Sequence, residues 1–482
     1  MNIFDKIRAS EKLPMTAVTE DHLSALQTLT MLKAQIRQWG SSQVRTFNRG
    51  LLSTMLTIGG LTMLVKIVAA GKETFIARQL GVGDALDAFL VAYSLPALVT
   101  SVIAGSFNSA LIPTYMQVQE REGNQAAHRL FAGVMFWSLG LLLLISALLA
   151  LLFPLVLPFL ASGFSPEKLI FTRGLFRAVL PIVAVTGVAI TWGAVLNAEG
   201  EFTLPAVVPI ITSLVVTAVL LFRVQTWGVW GLAVGTSVGA CLEAALVGLR
   251  LQQRGISPLP KWRRMDADLR QVMRQYMPLS AAALVFSGTS LADQTIAATL
   301  GSGKVATLNY GYKLIALIIS ITSTAVIIAV LPHFSRLAAT ENWKELRKDL
   351  KSYTVLILFA LVPVALLLAY FSVPLVRLVF ERGAFTARDS QIVGHVQACF
   401  AMQLPFYTLG MMYTRLISAL KHNDSIFIVS FISVSLNLAL DIIFARYLGV
   451  AGIALSTAVV SMVFCGTMYV FLLRALPATT KA

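Results

Sequence analysis

Long apolar stretches alternate with short polar links along the chain, and most charged side chains fall in the links. A helix needs about 20 apolar residues to cross the hydrocarbon of a bilayer. Runs of that length, bounded by charge, Pro or Gly, predict twelve spans. They lie near 51–79, 86–115, 130–160, 172–197, 202–222, 226–249, 276–300, 305–333, 352–377, 390–419, 424–446 and 449–473. The pattern therefore predicts an all-α integral membrane protein. The first 50 residues are polar and contain no apolar core of a cleavable signal, although His22–Trp39 has the spacing of an amphipathic surface helix.

Laid against itself, the chain repeats with an offset near 220 residues. Ile76-Ala-Arg-Gln-Leu-Gly-Val-Gly83 answers Ile296-Ala-Ala-Thr-Leu-Gly-Ser-Gly303, and Ile112-Pro113 answers Leu331-Pro332. Pro154-Leu-Val156 and Gly163 answer Pro374-Leu-Val376 and Gly383. Leu180-Pro181 answers Leu404-Pro405, and Gly231–Thr236 answers Gly452–Thr457. The order and near-constant offset predict two homologous six-helix lobes around a central cavity. The expected organisation is an N-terminal extension (1–50), an N-lobe (51–250), a basic linker (251–275), a C-lobe (276–474) and a short tail (475–482). Six passes per lobe is even, so the lobes are parallel repeats, an architecture used for alternating access between lobes.

Composition narrows the class. With 57% hydrophobic and 13% charged residues and a mean hydropathy of +0.78, the chain has about half the charge of a soluble protein. That excludes a soluble enzyme, a disordered chain and a disulfide scaffold. The net charge of +15 gathers in the N-terminal segment and in the links after the sixth and eighth predicted spans. The positive-inside rule then puts both termini in the cytoplasm, and the charge reads as topology and lipid contact rather than nucleic-acid binding. Three cysteines sit singly in apolar stretches, and no Walker A loop, HExxH or nucleophile elbow occurs. A transporter without catalytic chemistry is expected.

Charges left inside the spans are costly and point to function. Lys66, Lys72, Glu73 and Arg78 lie in the first span, Asp84 and Asp87 open the second, and Lys313 lies in the eighth. Lysines contributed by both lobes suit a phosphate or pyrophosphate held by point charges; Lys66 and Glu73, seven residues apart, share a helix face and could pair. The alternative for Lys72, Glu73, Arg78 and the aspartates is a set of interfacial salt bridges. A second group, Asp293, Asn437, Asp441 and Thr457, suits a hard cation, a proton relay or a structural hydrogen-bond network.

Lys72-Glu-Thr-Phe-Ile-Ala-Arg-Gln-Leu-Gly-Val-Gly-Asp-Ala-Leu-Asp-Ala-Phe-Leu-Val-Ala92, continued by Leu95-Pro96 and Phe107–Pro113, resembles the span 1–2 signature of the MviN/MurJ family. Phe380-Glu-Arg-Gly-Ala-Phe-Thr386 is similar to a second hallmark of that family. The family belongs to the multidrug/oligosaccharidyl-lipid/polysaccharide exporter superfamily and carries the lipid-linked peptidoglycan precursor. By position, the resemblance implies substrate-binding roles for Lys66, Lys72, Asp87 and Lys313, where the family has arginines at all but Asp87, and supporting charge from Glu73 and Arg78. It also implies a Na⁺ site at Asp293, Asn437, Asp441, the Ile453 carbonyl and Thr457, and hence Na⁺ or H⁺ coupling with no required cofactor. A further family arginine falls on Thr100, and two of the family's fourteen spans have no counterpart.

These departures favour an exopolysaccharide-type repeat unit on undecaprenyl pyrophosphate as cargo. The alternatives are lipid II itself and, behind both, a cation-coupled drug exporter. The expected setting is the bacterial inner membrane, with the glycan lipid as ligand and glycosyltransferases or a glycan polymerase as partners.

Overall fold

A computed structural model of the chain describes residues 49–262, 266–326, 330–420 and 423–476, and every structural statement below concerns those residues. The expected surface helix at 22–39 lies outside them. One compact unit begins at Thr62 and carries the sites described below.

Seventeen helices follow in order. The N-lobe holds α1 (Arg49–Leu80), α2 (Asp84–Glu122), α3 (Asn124–Leu160), α4 (Pro166–Val179), α5 (Ile182–Ala198), α6 (Thr203–Val207), α7 (Ile210–Trp227) and α8 (Val229–Gln253). The C-lobe holds α9 (Ala267–Thr299), α10 (Lys304–Ala325), α11 (Leu331–Ala339), α12 (Trp343–Tyr370), α13 (Ser372–Phe380), α14 (Ala387–Ala401), α15 (Leu404–Ala419), α16 (Asn423–Leu448) and α17 (Val450–Ala475). Nine segments among the described residues are long and apolar enough to cross a membrane. Helix α1, helix α9 and the α14–α15 pair complete twelve passes, and these three carry Lys66, Lys72 and Glu73, then Asp293, then Gln397 and Gln403.

Several helices outrun their apolar stretch, because a cap rather than hydropathy decides where a helix starts. The Asp266 carboxylate accepts from Leu269 N–H at 3.0 Å, which begins α9 inside the stretch expected to be linker. Ser165 caps Lys168 N–H with Pro166 at the first helical position, and Asn342 caps Glu345 N–H. The ninth predicted span breaks at Phe371.

The repeat is visible in the backbone. Gly228 (φ 50°, ψ −129°) and Gly449 (φ 59°, ψ −138°) make the same sharp turn into the last helix of each lobe, a conformation open to glycine. The breaks between α4 and α5 and between α14 and α15 fall just before or within the repeated Leu-Pro pairs.

Three apolar clusters organise the packing. The largest spans both lobes at the α1–α2 end, joining Ile76, Leu86, Phe89, Phe153 and Phe176 to Ala297, Val305, Tyr310, Phe380 and Phe385. A second fills the other end of the N-lobe and takes in Leu269, Val272 and Tyr276 of α9. The third lies within the C-lobe around Phe334, Met412 and Tyr413. The lobes thus share one large core at the α1–α2 end, while at the end bearing the basic linker the start of α9 packs into the N-lobe core and the rest of the C-lobe has a core of its own.

Candidate functional site

The seal begins with a carboxylate. Asp87, in the first turn of α2, is fully buried, and its oxygens accept the N–H groups of Gly303 (2.7 Å) and Ala306 (2.8 Å). Those are unsatisfied donors at the start of α10, in the other lobe. A carboxylate there also meets the positive end of the helix dipole. Lys168 of α4 lies 3.3 Å from Asp87 and 2.5 Å from Asp84, and its ammonium stacks 3.6 Å above the Phe164 ring. Asp87 therefore joins the lobes rather than facing open space.

Backbone contacts reinforce the closure. Ala384 N–H donates to the Arg78 carbonyl at 2.8 Å. A Cβ added at Gly383 would run into that carbonyl, and one added at Gly163 would run into the carbonyl of Ala298. Positions 163 and 383, like 78 and 298, are related by the 220-residue repeat, so the two close approaches are the same contact made twice. The Arg78 side chain is exposed.

One turn deeper sits a charge trio. Glu73 lies 3.1 Å from Lys72 on its own helix and 3.1 Å from Lys313 on α10. Lys66 forms no ion pair among the described residues, so the pairing of Lys66 with Glu73 allowed by their spacing is not made; Glu73 turns to Lys313 instead. Thr100, where the family has an arginine, is buried and donates to the Pro96 carbonyl at 2.8 Å. Glu243 accepts from Thr212 N–H at 3.2 Å, a satisfied packing role, and His395 is exposed.

The second predicted group comes together in the C-lobe. Asp293 of α9 and Asp441 of α16 are in side-chain contact. Ser456 donates to Asp441 and to the Ile453 carbonyl (2.9 Å), Asn437 donates to Ser456 (3.3 Å), and Thr457 donates to the same Ile453 carbonyl (3.1 Å). One oxygen on each aspartate finds no hydrogen-bond partner. Two carboxyl groups in contact within an apolar bundle call for a proton or a cation between them. The donor set, all hard oxygen, fits Na⁺ as well as H⁺.

Asp293, Asn437 and Thr457 also line a C-lobe cavity of about 730 Å³. Its walls include Gln294, Asn309, Tyr312, Gln403, Tyr407, Ser430, Ser433 and Ser461, and its only charged lining groups are Asp293 and Arg415. Sequence reasoning did not single out Lys168, Gln403 or this cavity. For Lys168 a signal existed: the repeat pairs it with Arg388. For the cavity there was none, because polar residues on five different helices converge only in three dimensions.

A family model described as "Lipid II flippase MurJ" matches residues 76–482. A probable lipid II flippase MurJ of Rhizobium tropici is 28% identical over 436 residues, covering 88% of this chain and 81% of the relative. Among solved structures, a lipid II flippase MurJ in an inward closed conformation superposes with a TM-score of 0.75 at 21% identity, covering 88% of each chain. An inward-facing multidrug resistance MATE family transporter of the MOP superfamily gives 0.71 at 14% identity, covering 89% of this chain and 99% of the other.

Proposed function

The chain belongs to the lipid II flippase MurJ family, and from that membership we propose that it carries lipid II from the cytoplasmic to the periplasmic leaflet of a bacterial inner membrane. The protein is then a multi-pass transporter, not a catalyst. Both termini and the basic linker face the cytoplasm, and the sealed α1–α2 end faces the periplasm. The exopolysaccharide unit favoured by the lysine-for-arginine exchanges finds no support in the relatives, which share the lipid II name.

The observation that carries the reading is the Lys72–Glu73–Lys313 trio, lysines of both lobes held by one glutamate beneath the closed end. A pyrophosphate arriving from the cytoplasmic side meets unpaired Lys66 first. It then offers Lys72 and Lys313 more negative charge than Glu73 does, while the lipid tail stays in the bilayer. Drawing Lys313 away from Glu73 removes a tie between the lobes and favours their parting at the periplasmic end. Lysine grips pyrophosphate as a point charge, so this exchange does not depend on the planar fork of arginine. Asp293 and Asp441, with Asn437, the Ile453 carbonyl and Thr457, would hold Na⁺ or H⁺, whose binding ties the cycle to an ion gradient.

The test uses cells depleted of their own lipid II flippase and a membrane-impermeant headgroup label. The wild-type chain should restore labelling of lipid II at the outer surface. Lys66→Ala and Lys313→Ala, expressed at wild-type level, should lower it at least tenfold, about one lost charge-assisted contact. Wild-type rates in both variants would refute this assignment of the lysines.

A further inference from the structure

We propose that the C-lobe cavity is a recognition site for the sugar and peptide portion of the headgroup, separate from the lysines that take the pyrophosphate; this rests on the lipid II reading above. Charge argues for the separation. The cavity has one acidic and one basic lining residue, so it does not concentrate positive potential, whereas the lysine site does. Its volume, about 730 Å³, lies in the roughly 300–1,000 Å³ range of small-molecule sites.

The unpaired polar atoms say what would fill it. Gln403 is 2% exposed, yet its side-chain Nε2 has no hydrogen-bond partner. Its backbone is pinned at the α14–α15 break, donating to the Phe400 carbonyl at 3.2 Å and accepting from Tyr407 N–H at 2.8 Å, so the root of the side chain is fixed in the wall. Gln294 of α9, also in the lining, has a buried Oε1 acceptor without a partner. A buried donor or acceptor left unpaired is costly, and a ligand offering both hydroxyl and amide groups relieves both. Tyr312 and Tyr407 supply ring faces, and Asn309 adds a two-way amide. Buried amides beside aromatic rings suit N-acetylated sugars joined to a short peptide, which present hydroxyls, N–H groups, carbonyls and apolar faces together. A cationic drug would want several carboxylates in the wall, and the lining has a single one, Asp293.

The test uses the purified full-length protein in nanodiscs, titrated with two probes and followed by native mass spectrometry. Undecaprenyl pyrophosphate reports the lysine site alone, and lipid II reports both. Wild type should bind lipid II the more tightly. Gln403→Leu and, from α10, Asn309→Leu should weaken lipid II about tenfold, the loss of one buried hydrogen-bond partner, and leave undecaprenyl pyrophosphate unchanged. Lys66→Ala should weaken both probes together. If both cavity variants keep the wild-type ratio, or weaken the two probes equally, the cavity proposal is overturned. If wild type binds neither probe above phosphatidylglycerol, the lipid II reading fails and this proposal with it.

Discussion

Asp84 and Asp87 share one lysine but differ in what their loss should do. Asp84 is 62% exposed at its side chain, so its bond to Lys168 is worth no more than about 1 kcal/mol. Asp87 is buried and satisfies two backbone donors of the opposite lobe, and hydrogen bonds to charged groups are worth about 1.5–3 kcal/mol each. Asp87→Ala should therefore open the α1–α2 end, and Asp84→Ala should barely change it. Solvent labelling of a single cysteine placed at Val82, in the intervening turn, distinguishes the two; equal labelling in both variants would mean that Asp87 is not the latch. The sequence marked Asp87 as a charge at a span boundary, but its partners are 216 and 219 residues away, and no local pattern could name them. At the linker end, the Arg250 guanidinium beside Glu201 holds its carboxyl below the usual carboxylate range, with Arg254 adding to the effect. A lowered folded-state value means this tie is fully present at neutral pH and is lost only as pH falls through that value. Glu201→Gln should thus lower thermal stability at pH 7 and have little effect in strong acid.

Among elements, the glycine pair carries the clearest steric forecast. Gly163 packs on Ala298 and Gly383 on Arg78, two copies of one contact related by the internal repeat. Gly383 also has a positive φ of 61°, whereas Gly163 does not, so Gly163→Ala is the cleaner probe of close approach. Overpacking of this kind costs typically about 1–3 kcal/mol, borne only by the sealed state. Spin labels at Ser162 and Arg388, in a background without the native cysteines, should report a longer inter-lobe distance in Gly163→Ala; an unchanged distribution would mean that the contact is not part of the seal. Both glycines stood out in the sequence as repeat matches, but a repeat cannot say what a glycine touches. Apolar runs and Leu-Pro breaks were legible because hydropathy and helix-breaking residues act locally. Helix starts such as Asp266 were missed, since a cap extends a helix beyond the stretch that hydropathy detects.

At the scale of the molecule, one shared core closes the α1–α2 end, while at the other end the N-lobe core takes in the start of α9 and the C-lobe keeps a core of its own. The Asp87 latch, the glycine pair and the Glu73 bridge all act at that closed end, so a single rocking motion breaks them together. Alternating access follows from this arrangement: a cargo that binds more tightly when the lobes part shifts the balance towards the outward state. The proposed cargo, lipid II, rests on membership in the lipid II flippase MurJ family. Substituted lysines had pointed towards another glycan, because charge sign and side-chain identity carry different information and only the first is kept. The most direct measurement is headgroup exposure in proteoliposomes containing the purified protein and labelled lipid II, run beside vesicles with an exopolysaccharide repeat unit on the same carrier. The account predicts that the protein speeds movement of lipid II well above protein-free vesicles and more than that of the other glycan. Lipid II moving no faster than in protein-free vesicles would contradict it.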